Sequence, residues 1–241
     1  MLLLPLLPLL LFPTLLSLHP LALYIDAFAS PAECRSLLLP SWRSSPALPA
    51  VTARVGSLVA APPHPAEAVR RTESSPSLPP PPELHVDTNN GKLATFATAI
   101  LYLTTVPEEL GGHTSLPLAG APPGDPALVA AEALVACNVH HAAAAPPGPA
   151  ASLAAAAAEC AAGLRGARCA AVAGRLLLFY GRGRGGGVDA RAWHRGEEVR
   201  GGVKVILPML KEVPMGDVED ERDFRARANA LVKHGETLVR V

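Results

Sequence analysis

The apolar positions of this chain change their spacing part-way along it. From Leu23 the text LYIDAFASPAECRSLL reads as a short strand, a turn and a helix, with apolar residues then recurring at helical intervals through Leu37 and Leu38. Ser30 is placed to cap that helix, Pro31 stands at its first position, and Glu33 lies in the first turn, where the helix dipole favours an anion. A second helix is expected from about Pro49 to Val59, followed by a Pro-rich loop or polyproline segment over Pro76 to Pro82. Beyond it the text turns strand-like: LHVDT, ATFATAILYLTTV, GRLLLFYG and VKVILPML are short runs rich in Val, Ile, Tyr, Phe and Thr, bounded by Gly and Pro. The pattern predicts a mainly β core, a sandwich or jelly roll, with flanking helices.

Two other stretches stand apart. Residues 119–173 are dominated by Ala, Pro and Gly and read as an insertion between core strands, helical from Ala150 to Ala162 and otherwise mobile. The charged tail from Asp217 to His234 reads as one more helix, capped by Asp217 and stopped at Gly235. At the other end, Leu2 to Leu18 is an apolar run broken by Pro5, Pro8 and Pro13, too short and kinked for a comfortable membrane span. A secretory leader over residues 1–22, cut near Ala22, is the expectation, although no Lys or Arg precedes the run. A packed amino terminus is the alternative. Localisation in the secretory pathway or endoplasmic reticulum follows from the first reading, and any membrane association would run through this leader alone. Residues 23–214 are then the main domain and 215–241 the carboxy-terminal helix.

Composition removes several function classes. With 21 basic and 21 acidic residues the chain has no field to draw it to nucleic acid. Four cysteines, Cys34, Cys137, Cys160 and Cys169, include no CxxC pair and read mostly as buried thiols. The glycines of GRGRGGG follow no strand–helix dinucleotide unit and need only make a turn, and no serine sits in a G-x-S-x-G elbow. The adjacent pair His140-His141 is poorly placed to present both rings to one ion, and His113 is expected at a turn as a solvated bystander.

The chemistry that remains starts at His85-Val86-Asp87. On a strand, residues two apart point to one face, so an imidazole and a carboxylate at this spacing can reach the same cation. A third ligand is available in His194, just before the last expected strand. Two imidazoles and one carboxylate on one face of an octahedron leave three positions open, the arrangement non-heme Fe(II) uses to take bidentate 2-oxoglutarate and dioxygen. Lys204, one of only four lysines, follows ten positions later, where its ammonium could pair with the far carboxylate of that co-substrate.

The string HVDTNNGKLATFATAILYLTTVPEELGGHTSLPLA resembles the prolyl 4-hydroxylase pattern of H-x-D, a basic residue, A-T, an L-Y-L strand, an acidic turn and G-G-x-T. GRLLLFY followed by GGGVDARAWHRGEEVRGGVK is similar to that family's closing segment, and IDAFASPAECRSLL to its opening helix. The resemblance, to the prolyl 4-hydroxylase branch of the Fe(II)- and 2-oxoglutarate-dependent dioxygenases, runs from Leu23 to Pro214 apart from the Ala-rich stretch. It implies a double-stranded β-helix (jelly roll) core, iron ligands His85, Asp87 and His194, and Lys204 as partner of the 2-oxoglutarate carboxylate. It also implies a Tyr102 hydroxyl aimed at that carboxylate, and Thr114 lining the pocket. Tyr102 as a core filler and Thr114 as a strand residue are the structural alternatives. The implied reaction is C–H hydroxylation of a prolyl residue in a peptide or protein, coupled to decarboxylation of 2-oxoglutarate to succinate, with ascorbate as rescuing reductant. Two other readings stay open: an oxygenase of the same fold acting on a non-prolyl substrate, and an inactive jelly-roll binding module. One departure favours the latter, because ESSPSLPPPPEL offers no aromatic ahead of the H-x-D, where the family usually has one.

Overall fold

The computed structural model describes residues 12–63, 69–79, 83–87, 94–216 and 218–239. Among the described residues, nine strands form two antiparallel sheets. The larger runs β1 (Thr14–Leu18), β2 (Leu21–Ile25), β7 (Leu176–Tyr180), β4 (Thr95–Tyr102), β9 (Lys204–Glu212) and β3 (Thr72–Ser74) in that spatial order, and the smaller runs β6 (Ala167–Cys169), β5 (Thr114–Leu116) and β8 (Arg195–Gly196). His85 pairs antiparallel with His194, directly before β8, so the smaller sheet continues through the H-x-D segment. In chain order the path goes β3, His85, β4, then β5 and β6, then β7, His194 with β8, and β9. It crosses between the sheets at every step except that from β5 to β6. That winding is a double-stranded β-helix, so the jelly-roll expectation holds.

Alternation along the strands explains how the layers are held. Leu176, Leu178 and Tyr180 of β7 and Val205, Leu207 and Met209 of β9 point to the outer face of the large sheet, where they pack on helices. Those helices are α1 (Pro31–Leu38), α2 (Ala47–Leu58) and α5 (Glu221–Thr237). The intervening residues Leu177 and Phe179, with Ile100 and Tyr102 of β4, face inward against Leu116 and Cys169 of the small sheet. Ser30 caps α1 through a full capping box with Glu33, as the sequence suggests.

Four expectations differ from what the structure shows. Within the leader expected over residues 1–22, β1 takes Thr14–Leu18 and β2 begins at Leu21 after a turn at His19-Pro20, and Ala22 is fully buried where it pairs with Phe179 of β7. The first eleven residues fall outside the described ones. The Ala-rich stretch is also more than an insertion. Its helices α3 (Pro126–Ala136) and α4 (Pro147–Ala161) bury a cluster of their own with Leu84, Val86 and Trp193, and residues 167–169 are core strand β6. Ala, good for helix propensity, also lets the two helices close tightly. Third, the cap of α5 is Asp220, which accepts from the Asp223 amide; Asp217 lies outside the described residues. Lastly, α5 continues through Gly235 to Thr237. Gly235 serves close approach there, because a Cβ at that position would collide with the ring and hydroxyl of buried Tyr180. Gly235→Ala is therefore expected to lower Tm by roughly 3–10 °C through overpacking, as a thermal melt would show.

No helix among the described residues is long and apolar enough to cross a membrane.

Candidate metal centre

The alternation that buries Val86 among the α3–α4 cluster turns His85 and Asp87 the other way, onto a shared face. Pairing of His85 with His194 in both directions, His85 N to His194 O at 3.0 Å and His194 N to His85 O at 2.9 Å, brings the second imidazole beside the first. His85 Nε2 then lies 3.7 Å from Asp87 Oδ1 and His194 Nε2 3.4 Å from Asp87 Oδ2. The three ligating atoms all fall within 4.8 Å of one another, and this is the one such His/Cys/Asp/Glu group among the described residues.

Hydrogen bonding behind the rings fixes their tautomers. His85 Nδ1 donates to the Glu83 carbonyl at 2.8 Å and His194 Nδ1 to the Ala192 carbonyl at 3.0 Å, so each Nε2 keeps its lone pair directed at the shared face. Burial, reinforced by neighbouring His194, pushes the His85 imidazole down to about 4, which keeps it neutral and able to ligate at physiological pH. Thr98, on the inward face of β4, donates its hydroxyl to Asp87 Oδ2 at 2.7 Å, and the Phe179 ring closes against His194 at 4.6 Å between centroids. The donor set, two imidazoles and a hydrogen-bonded carboxylate, fits a divalent metal such as Fe(II). Thr98→Val removes the bond that orients the carboxylate and is expected to weaken Fe(II) affinity by about 10- to 100-fold, measured by anaerobic titration.

A second group of side chains lies farther along β4. Thr98 and Tyr102 share a face four residues apart, about 13 Å along the strand. Tyr102 is fully buried and donates to Thr114 Oγ1 at 2.7 Å, so the structure joins these two residues directly. Lys204 Nζ lies 5.6 Å from the Tyr102 ring centroid and 3.4 Å from the His113 carbonyl. It is only 3% exposed and forms no ion pair with a carboxylate among the described residues. Burial pushes this ammonium down to about 8, a cost that an anion beside it would relieve. Cys169, cross-strand partner of Thr114, faces the same interior.

His113 is not a solvated bystander. It is buried and accepts at Nδ1 from Arg168 at 3.2 Å, while Arg168 also grips Glu197 through two bonds of 2.8 and 2.6 Å. Gly111, at φ 81°, turns the chain into β5 beneath this network and sets the His113 carbonyl against Lys204.

No family model matches the chain, and no curated protein matches it. Solved structures do. One is the truncated viral collagen prolyl hydroxylase of Paramecium Bursaria Chlorella virus-1, at 14% identity and a TM-score of 0.49, over 80% of this chain and 90% of that one. Another is the epimerase SnoN in complex with Fe3+, alpha ketoglutarate and nogalamycin RO, at 14% identity and a TM-score of 0.44, over 81% and 82%. A third is HygX from Streptomyces hygroscopicus with nickel and 2-oxoglutarate bound, at 13% identity and a TM-score of 0.37, over 78% and 81%.

Proposed function

We propose that this protein is an Fe(II)- and 2-oxoglutarate-dependent dioxygenase that hydroxylates a C–H bond, with a peptidyl proline as its substrate. The observation that supports this reading most is the metal face itself. His85, Asp87 and His194 converge, both imidazoles donate through Nδ1 to backbone carbonyls, and a buried ammonium, Lys204, with no carboxylate partner among the described residues, stands farther along the same interior.

In this reading His85, Asp87 and His194 hold the iron. When bound, the metal with 2-oxoglutarate and dioxygen supplies oxidative decarboxylation to succinate and CO2 coupled to C–H hydroxylation. Thr98 holds the Asp87 carboxylate in its ligating orientation. Lys204, as an ammonium, would meet the far carboxylate of the co-substrate, and Thr114 with the Tyr102 hydroxyl, joined by their hydrogen bond, would supply polar contacts beside it. Phe179 and Ile100 line the apolar interior between the two groups, which strengthens each polar contact made there. Ascorbate serves as the reductant that returns oxidised iron to Fe(II).

Incubation with Fe(II), ascorbate and 2-oxoglutarate labelled at C1, with and without proline-rich peptides, tests the reading. Peptide-stimulated CO2 release and a peptide mass gain of one oxygen are expected. Release that leaves every prolyl peptide unmodified would contradict the proline assignment, and no release at all would contradict the oxygenase.

A further inference from the structure

The segment that joins α3 to α4 does more than connect them. Val86 N donates to the His140 carbonyl at 3.0 Å and Ala142 N to the Leu84 carbonyl at 2.9 Å, so residues 140–142 lie as one more antiparallel strand against the H-x-D segment. His85 therefore has a partner on each side: His194 on one and His141 on the other, each directly opposite it. Directly opposed residues of neighbouring strands point to the same face. The three imidazoles stand in a row, and the His141 ring stacks on that of His85, 5.5 Å between centroids and 16° from parallel. On its other side the His85 ring meets His194 at 4.3 Å and 51°. Among the described residues the ligand cluster takes in His85, Asp87 and His194 but not His141, so His141 does not share the ligating position.

We infer that His141 is a positioning residue for the metal centre: its ring, carried by the α3–α4 unit, holds the His85 imidazole at the angle that aims Nε2 at the ion. The inference rests on the proposed metal role of His85. The physical argument is rotameric. The Nδ1 bond to the Glu83 carbonyl fixes one edge of the His85 ring, but a single hydrogen bond leaves the ring free to rock about it. A flat ring stacked on one side and His194 on the other remove that freedom before the ion arrives. A consequence is reciprocal linkage: the ion, by holding His85, tightens the pairing of residues 84–86 with 140–142, and the helical unit, by holding His141, raises ion affinity.

The test uses Mn(II), a redox-inert ion of the same preference for nitrogen and oxygen donors, with the free ion followed by EPR in the intact protein. His141→Ala is expected to weaken Mn(II) binding by about 10-fold, the range seen when groups behind a ligand are removed. His141→Phe, which keeps a flat ring but no nitrogen, is expected to stay within about threefold of the parent. Mn(II) should also slow hydrogen exchange at the Val86 and Ala142 amides in the unaltered protein. Parent-like affinity in His141→Ala, or equal weakening in both variants, would overturn the inference while leaving the metal site standing. No Mn(II) binding by the parent would overturn the metal site as well.

Discussion

Asp87→Ala is expected to abolish metal loading, with an affinity loss beyond the roughly 100-fold that changes behind a ligand produce. The reason lies in the charge balance of the site. Asp87 is the one carboxylate among the three ligands, it spans both imidazoles at 3.4 and 3.7 Å, and it accepts the Thr98 hydroxyl. Removing it leaves two imidazoles to hold a divalent ion with no compensating negative charge, and leaves the hydroxyl of buried Thr98 without its acceptor. The fold should survive, because Asp87 is only half-buried and lies outside the three apolar clusters. Unchanged circular dichroism with lost Fe(II) binding is the expected result. Retained binding would remove Asp87 from the ligand set.

Lys204→Ala is expected to spare the metal and weaken 2-oxoglutarate by roughly 30-fold or more, the usual consequence of truncating one member of a buried charge pair. KM for the co-substrate measures it, with Fe(II) affinity as the control. The same residue sets a pH dependence with a definite sign. Burial lowers its pKa to about 8, so in the free protein the anion-binding ammonium is fully present below that value and is lost as pH rises through it. Affinity for 2-oxoglutarate should therefore fall on the alkaline side of about pH 8. Lys204→Arg, which stays charged throughout, should flatten that limb even if its affinity is lower.

The convergence of His85 and Asp87 was legible in the sequence because strand periodicity is a local rule. In H-x-D the two polar side chains share a face by spacing alone, and Val86 between them is as apolar as the opposite face demands. His194 and Lys204 were legible through the order of three separated motifs rather than through any one of them. Thr98 was missed although a signal existed: it stands at even spacing from Tyr102 on the same strand, which places it on the inward face. His113 differs from its expectation for another reason: it sits in text that reads as a turn and is buried by a long-range contact with the Arg168 guanidinium. The stacking of His141 on the His85 ring is likewise long-range and has no local signal in the Ala-rich text. An apolar strand of an edge hairpin and an apolar leader have the same composition, so the strand character of residues 14–18 and 21–25 is visible only in their pairing with each other and with β7.

The most direct measurement is an anaerobic titration of the purified protein with Fe(II) and 2-oxoglutarate, followed in the visible region. A metal-to-ligand charge-transfer band that grows with both additions, and is lost in His194→Ala, is expected. A folded protein that binds Fe(II) yet develops no band with 2-oxoglutarate would contradict the proposed function and point to a jelly-roll binding module.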